Sequence, residues 1–495
     1  MEDSKYQKRI YHEVENSNTN VVMSAVAGSG KTTTLIKCLS LIPEGSKVIF
    51  IAFNNAIVDE LKEKIKRDDV LVTTMHSFCW RNLMKHKGYK VDMKPNKAQE
   101  YIKKVIIKHK IETKKIGFHQ FVISSIIDLI RMTLTFEVEE IIELGSHHDI
   151  AIGESEAKMA KEVLELMDKD NKVFDFTDMI YRVVKEDLRL PTFDYVFVDE
   201  SQDLSVCQQS IISKIKKPKG RLIAVGDPNQ AIYGFAGADI HSYDRLKTLF
   251  DNTIELPLSV NYRCGKRIVE RARKINPQIE PFEGNKDGIV RDGFIDEISN
   301  GDWVLCRNVK PLILLNLYFL SLGIKSYVKG KDIGIGLVAL VNKIGCENTS
   351  SMLTKYKLQI SSEMLRLKKL GVKNPGTSEK IVSMVEKFDI LSVLSQYKQY
   401  TKELKDDMKY IFKEQGEGIC LSTIHKSKGR ENDNVFILCP ELIPNQFAIQ
   451  DWQLKQEDNL LYVAITRAKK KLIFLSDYEE IVGKQKNELQ NSKNL

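Results

Sequence analysis

A chain of 495 residues, 42% hydrophobic and 29% charged, has the composition of a soluble protein and the length for several domains with real cores. Its 75 basic residues against 67 acidic ones leave a net charge of +8, which suits an anionic partner. No apolar run reaches the ~20 residues of a membrane span, residues 1–5 lack a signal-like apolar region, and eight scattered cysteines without a C-x-x-C pair argue for a reducing compartment rather than a metal site or secretion.

The first strand-like run, 20–24, leads into Ala25-Val26-Ala27-Gly28-Ser29-Gly30-Lys31-Thr32, and 33–41 reads as a helix. That is the setting of a P-loop: glycines let backbone N–H groups close around phosphates, Lys31 reaches the β/γ oxygens, and Thr32 can hold Mg²⁺. Ala27, Gly28, Ser29, Gly30, Lys31, Thr32 and Thr33 are therefore the ATP-binding candidates, with Ala25 a small variant of the usual first glycine. The bland alternative is a Gly-rich turn without phosphate. Runs 47–53 and 70–73 read as further strands. The next, 193–198, ends in Asp199 and Glu200, suited respectively to bind Mg²⁺ and to orient or deprotonate the attacking water. A helix-capping role suits Asp203 better than these two.

After the apolar strand 222–225 comes the loop Gly226-Asp227-Pro228-Asn229-Gln230-Ala231-Ile232-Tyr233-Gly234-Phe235-Ala236-Gly237-Ala238-Asp239. Open α/β sheets bind ligands at such strand ends. Gln230 can sense a phosphate, while Tyr233 and Phe235 can stack on a base, so one loop can touch nucleotide and nucleic acid together. Downstream, Arg263 in Asn261-Tyr262-Arg263 and Arg467 in Thr466-Arg467-Ala468 are candidates for positive charge on a γ-phosphate; alone, each reads equally as a surface ion-pair partner. Residues 85–115 carry many lysines against Asp92, Glu100 and Glu112, either a phosphate-contacting face or an ordinary solvated one.

Taken in order, 25–32, Ala52-Phe53-Asn54-Asn55, Thr74-Met75-His76-Ser77-Phe78, 198–203, 226–239, Asn261-Tyr262-Arg263, 423–431 and 462–468 resemble the motifs of UvrD/Rep-like superfamily 1 DNA helicases, leaning toward the F-box helicase and phage or viral branch. Asp175-Phe176-Thr177-Asp178 and Leu305-Cys306-Arg307-Asn308 resemble the family's minor motifs. The resemblance implies that Gln7 reads the adenine, Tyr262 stacks on it, Glu431 contacts the ribose, Gln202 and Gln230 sense the γ-phosphate, and Arg263 and Arg467 are arginine fingers. It implies DNA contacts at Phe53, Asn54, Asn55, Thr74, His76, Phe78, Tyr233, Phe235 and His425. Phe78, beside Trp80 and Leu83, also reads as helix core.

The fold expected is α/β, two RecA-like P-loop NTPase domains of parallel sheet flanked by helices, with ATP between them and a mainly helical insertion in each. Strands 20–24, 47–53, 70–73, 193–198 and 222–225 form one set; 254–258, 303–306, 419–423, 435–439 and 472–475 form the other. The expected boundaries are 1–83 with 173–258 for the first RecA-like domain (1A), 84–172 for its insertion (1B), 259–335 with 415–495 for the second (2A), and 336–414 for a short insertion (2B). The function expected is an ATP- and Mg²⁺-dependent helicase, monomeric, cytoplasmic or nuclear, acting on single-stranded DNA and its junctions with duplex, 3′-to-5′, in replication, recombination or repair. The rivals are a translocase or regulatory ATPase that does not unwind, a binding protein with a dead ATPase, and a P-loop small-molecule kinase. The intact Lys31, Asp199, Glu200, Gln230 and Arg467 argue against the second, and the aromatic loops against the third.

Overall fold

The computed structural model describes residues 2–88, 91–148, 150–234, 242–369, 375–396, 398–446, 448–476 and 478. The chain divides into two compact units, Met1–Val260 and Asn261–Leu495. The strands of the first are β1 (Asn20–Ala25), β2 (Val48–Ala52), β3 (Val70–Thr74), the short β4 (Asp92–Met93) and β5 (Val173–Phe174), then β6 (Phe193–Val198), β7 (Lys216–Gly226) and β8 (Thr253–Leu258). Six of them form one sheet in the order β3-β2-β6-β7-β1-β8, parallel at every pairing, while β4 and β5 pair with each other. Val48-Ile49-Phe50-Ile51-Ala52 is buried along its whole length, as a parallel strand covered on both faces must be.

The sequence reading sets strand 254–258 with the later strands, although its domain boundary, 173–258, keeps it in the first domain; the structure corrects the strand grouping. β8 runs beside β1 from Asn20↔Thr253 to Ala25↔Leu258. An apolar strand pattern records burial but not which sheet supplies the partner.

Strand β9 (Val260–Asn261) pairs with β10 (Glu280–Pro281). The second unit's main sheet combines β11 (Ile289–Gly293), β12 (Trp303–Cys306), β13 (Ser326–Lys329), β14 (Phe412–Lys413), β15 (Ile419–Thr423), β16 (Asn432–Leu438) and β17 (Ala468–Leu475). Its order is β11-β17-β16-β12-β15-β13-β14, again parallel throughout. Strands β11, β13 and β14 are short or largely exposed and give no apolar run to read.

Between β4 and β5 run the α-helices Lys97–Lys108, Thr113–Thr133, Val138–His147, and Glu154–Lys169; between β13 and β14 run Lys331–Ile344, Thr349–Lys369, Glu379–Leu394, and Thr401–Ile411. Positions 84 and 336, where the insertions were expected to begin, fall inside the helices Met75–Lys87 and Lys331–Ile344. In the second unit one buried cluster joins Val304, Leu421 and Phe436 of the sheet to Leu337, Met352, Leu391 and Met408 of these helices, so this helical segment shares the sheet's core. No described helix is long and apolar enough to cross a membrane.

Several strand ends pass directly into helix caps. Asn54 after β2 accepts from the Ile57 N–H, Thr74 at the end of β3 from Ser77, and Thr423 at the end of β15 from Lys426. Each side chain satisfies a helix donor that would otherwise lack a partner and thereby fixes the loop at the sheet's carboxyl edge. Strand β15 depends on Gly418, whose φ of 100° lies where side chains are rare and where a Cβ would sit 1.9 Å from the Lys325 carbonyl oxygen. Gly418→Ala is expected to destabilise the second unit by more than about 3 kcal/mol, read as a lowered denaturation midpoint of that unit.

Candidate nucleotide and strand-binding site

At the end of β1 the chain turns through Gly28 and Gly30, with φ of 66° and 78°, and enters the helix Lys31–Ser40 with Gly30 as its N-cap. Glycine meets this backbone without strain, and the turn aims N–H groups into the space before the helix. Ser29 is buried in this turn, and among the described residues its Oγ has no hydrogen-bond partner. A buried donor left open in a ring of amides fits a phosphate oxygen. Gln7 lies close by: its Nε2 donates to Thr34 Oγ1 at 3.2 Å, and its Oε1 accepts from the Ser4 N–H.

The carboxylates arrive from β6. Lys31 Nζ donates to both oxygens of Glu200 at 2.8 Å, Thr32 Oγ1 donates to Asp199 Oδ2 at 2.9 Å, and the Glu200 N–H donates to Asp199 Oδ1 at 2.8 Å. Glu200 holds a left-handed φ of 51°, an uncommon conformation for a residue with a side chain. Burial opposes the Lys31 charge, but Glu200, Asp199 and Asp227 outweigh it and raise its pKa. Burial pushes Asp199 up to about 6, helped by Glu200, and pushes Asp227 up to about 6 as well. Three acids thus face one ammonium. A hydroxyl and carboxylates are the hard oxygen donors that Mg²⁺ takes, and the excess of acid favours a cation there.

Asp227 carries no assigned role in the sequence reading, although an acid just past a buried strand repeats the signal that singled out Asp199. It knits the site together. Its N–H donates to Gln202 Oε1 at 3.0 Å, and its Oδ2 accepts from Gln230 Nε2 at 2.6 Å. Gln202 Nε2 in turn donates to Glu200 Oε2 at 2.6 Å. A Cβ at Gly226 would meet Ser201 Oγ at 2.6 Å and Gln202 Oε1 at 2.9 Å, so only glycine lets the ends of β6 and β7 approach this closely.

Two residues past this network the chain reaches Ile232 and then Tyr233, whose ring stacks on Phe53 with centroids 6.1 Å apart and planes 12° from parallel. Phe53 is 49% exposed. Asn54 and Thr74 act as helix caps and Asn55 is exposed on the first turn. His76 stacks on Phe176 at 4.2 Å, and burial pushes its pKa down to about 4, so the ring is neutral. Phe176, 62% exposed, is a large apolar surface given no role by the sequence reading, though it stands within Asp175-Phe176-Thr177-Asp178. Phe78 requires a correction. It is 1% exposed and packs edge-on against Phe193, because its helix turns that position inward, so its ring is not open to a base. Phe235 lies outside the described residues. The lysine-rich stretch is also no single face: Lys97 is buried against Asp178, and Lys108 pairs with Glu162.

In the second unit, Tyr262 packs against Phe282 with ring centroids 5.0 Å apart. Arg263 forms an ion pair with Glu431, which also pairs with Lys469 at 3.0 Å. The structure thus brings together two residues expected to touch γ-phosphate and ribose. Arg467 is 1% exposed; its guanidinium donates to the Val463 and Arg430 carbonyls at 3.0 and 2.8 Å, a helix-end anchor that sequence does not reveal. His425 is held neutral, its pKa lowered by burial and by Arg307 and Lys428 to about 3. Arg307 forms a two-pronged pair with Glu457 at 2.8–3.1 Å.

Two families match the chain: the UvrD/REP helicase N-terminal domain over residues 6–251, and the UvrD-like helicase C-terminal domain over residues 347–479. The ATP-dependent DNA helicase PcrA of Bacillus subtilis is 27% identical over 289 residues, covering 53% of this chain and 38% of its own length. The F-box DNA helicase protein 1 of Schizosaccharomyces pombe is 24% identical over 518 residues, covering 94% of this chain and 56% of its own. A probable DNA helicase II homolog of Mycoplasma capricolum is 23% identical over 423 residues, covering 77% and 57%. The chain therefore spans about half, or less, of the curated relatives it matches.

The raised carboxyl of Asp227 has a measurable sign. In the nucleotide-free protein the folded state holds this proton more tightly than the unfolded one, so stability is lost as pH rises from the ordinary 3.8 through about 6. Unfolding free energies of the wild type and Asp227→Asn should diverge over that window by on the order of 3 kcal/mol in favour of the variant. A constant difference would show that Asp227 does not titrate there.

Proposed function

Because the chain belongs to the UvrD/Rep-like superfamily 1 DNA helicases, we propose that it is an ATP-dependent DNA helicase that grips single-stranded DNA, moves 3′-to-5′ and separates duplex at junctions, in replication, recombination or repair. The observation that carries this reading is the loop after β7. Asp227 and Gln230 belong to the Lys31–Glu200 network, and three residues past Gln230, Tyr233 stacks on Phe53. A shift of the Gln230 amide on ATP binding or hydrolysis is thereby transmitted, over a very short length of backbone, to a stacking surface for bases. A motor needs such a link, since strand grip must differ between nucleotide states.

In this reading the P-loop amides, Ser29 and Lys31 bind the phosphates. Thr32 and Asp199 hold Mg²⁺, which when bound neutralises charge developing on the phosphoryl oxygens. Glu200 orients water and takes its proton, Gln202 and Gln230 report the γ-phosphate, and Arg263, with Arg467 once its guanidinium leaves the Val463 and Arg430 carbonyls, supplies positive charge to it. Gln7, Tyr262 and Glu431 hold the nucleoside. Base stacking falls to the Phe53–Tyr233 pair and to Phe176 on His76, each stack worth ~1–3 kcal/mol. Asn54, Asn55, Thr74 and His425 contact the strand, His76 and His425 as neutral rings that donate or accept hydrogen bonds rather than as cations.

Lys31→Ala is expected to lower ATP hydrolysis at least about a hundredfold while strand binding survives, and Glu200→Gln to bind ATP with turnover reduced by a similar factor, both measured by phosphate release and by oligonucleotide anisotropy. A strand-displacement assay tests the rest. A 3′-tailed duplex should be unwound with ATP, whereas 5′-tailed and blunt duplexes should not. Strand-stimulated hydrolysis with no displacement on any substrate would replace the unwinding reading with that of a translocase or regulatory ATPase.

A further inference from the structure

Lys97 opens the helix Lys97–Lys108 and is fully buried. Its Nζ donates to Asp178 Oδ2 at 2.7 Å. Arg131, from the helix Thr113–Thr133 and nearly as deeply buried, donates to Asp175 Oδ1 and Oδ2 at 2.9 Å each and to Asp178 Oδ1 at 3.3 Å, and it pairs with Asp128 at the rim. Asp178 accepts from the Asp175 N–H at 3.0 Å, and Asp175 accepts from the Asp178 N–H at 2.9 Å. Two buried cations thus meet two buried carboxylates. Lys97 Nζ also lies 5.2 Å from the centre of the Phe174 ring.

Ions this far from water are a poor source of stability, because desolvation offsets their attraction; what their pairing supplies is a fixed geometry. The geometry fixed here is the turn between the two aspartates. Phe176 stands in that turn, exposed to solvent on one side and stacked on His76 on the other. The β4–β5 pairing pins the same place, with the Lys94 N–H donating to the Phe174 carbonyl at 2.8 Å just ahead of Lys97. Neither the P-loop network nor the Phe53–Tyr233 pair includes any of these charges.

We infer that Lys97 is a positioning residue for strand binding: through Asp178 it holds the Phe176 ring flat against His76, making the helical segment between β4 and β5 part of the strand site. This rests on the strand-binding reading above. Without Lys97, the Asp175–Asp178 turn keeps an unbalanced carboxylate and the ring loses its fixed pose. Lys97→Arg keeps the charge and the donors.

The test is oligo-thymidine binding by fluorescence anisotropy, with ATP hydrolysis measured in the absence of DNA as a check on the nucleotide site. Phe176→Ala is expected to weaken binding about tenfold, the loss of one base stack. Lys97→Met should weaken it by a similar factor and leave DNA-free hydrolysis within about twofold. Adding Lys97→Met to Phe176→Ala should produce no further loss, since one acts through the other. Lys97→Arg should restore most of the affinity. Should Lys97→Met fail to fold, Lys97→Met with Asp178→Asn removes the pair together and takes its place in the same cycle. Additive losses in the double variant, or loss of DNA-free hydrolysis in parallel with binding, overturn the inference. A Phe176→Ala variant that binds as wild type overturns it as well, while leaving the helicase reading to stand on strand displacement.

Discussion

Three acids, Asp199, Glu200 and Asp227, are set around the single ammonium of Lys31, and much of the first unit is arranged to keep them there. They come from the ends of β6 and β7, Lys31 comes from the helix after β1, and the three strands are neighbours in one parallel sheet. Parallel pairing is what makes this possible: it brings the carboxyl ends of strands distant in sequence to one edge. Burying these carboxylates beside one another is unfavourable in the protein alone: desolvation, and to a lesser degree Glu200, raises the carboxyls of Asp199 and Asp227. A cation held there, as proposed for Mg²⁺, would offset that cost. Instability of the unliganded site and affinity for its ligands are two expressions of the same buried charge.

Local chemistry was the part legible in the sequence. The P-loop needs consecutive residues in a fixed backbone shape, and Asp199 and Glu200 follow an apolar run long enough to read, so the site's inner residues could be named without a structure. What sequence did not carry was orientation. Phe53 and Phe78 both follow closely on a strand end; the former stands in the loop and projects to solvent, whereas the latter lies in the first turn of its helix and faces Phe193. Lys97 sits among many lysines, yet it is buried against Asp178, 81 positions away. Arg467 lies at a helix end, where carbonyls without partners claim its guanidinium. Each of these outcomes depends on helix phase or on a distant partner, neither of which a residue type records.

Sheet membership shows the same limit at larger scale. The pattern of 254–258 identifies a strand, yet only the free edge of β1 assigns it to the first sheet. Strands β11, β13 and β14 are short or largely exposed, with single core residues such as Val328 and Phe412 rather than an apolar run, and so leave little trace in composition. The helices between β13 and β14, by contrast, share the sheet's buried cluster. They belong to the second unit's core and not merely to its surface.

The cluster of Lys97, Arg131, Asp175 and Asp178 also bears on how such proteins can be recombined. Its cations sit on the helical segment between β4 and β5, and its acids on the turn that follows β5. A segment borrowed from a relative without a cation at the position of Lys97 would bury an uncompensated carboxylate, however well its helices fitted. The segment and the turn are therefore best exchanged together, since a chimera that cuts between them at β5 separates the partners of a buried ion pair.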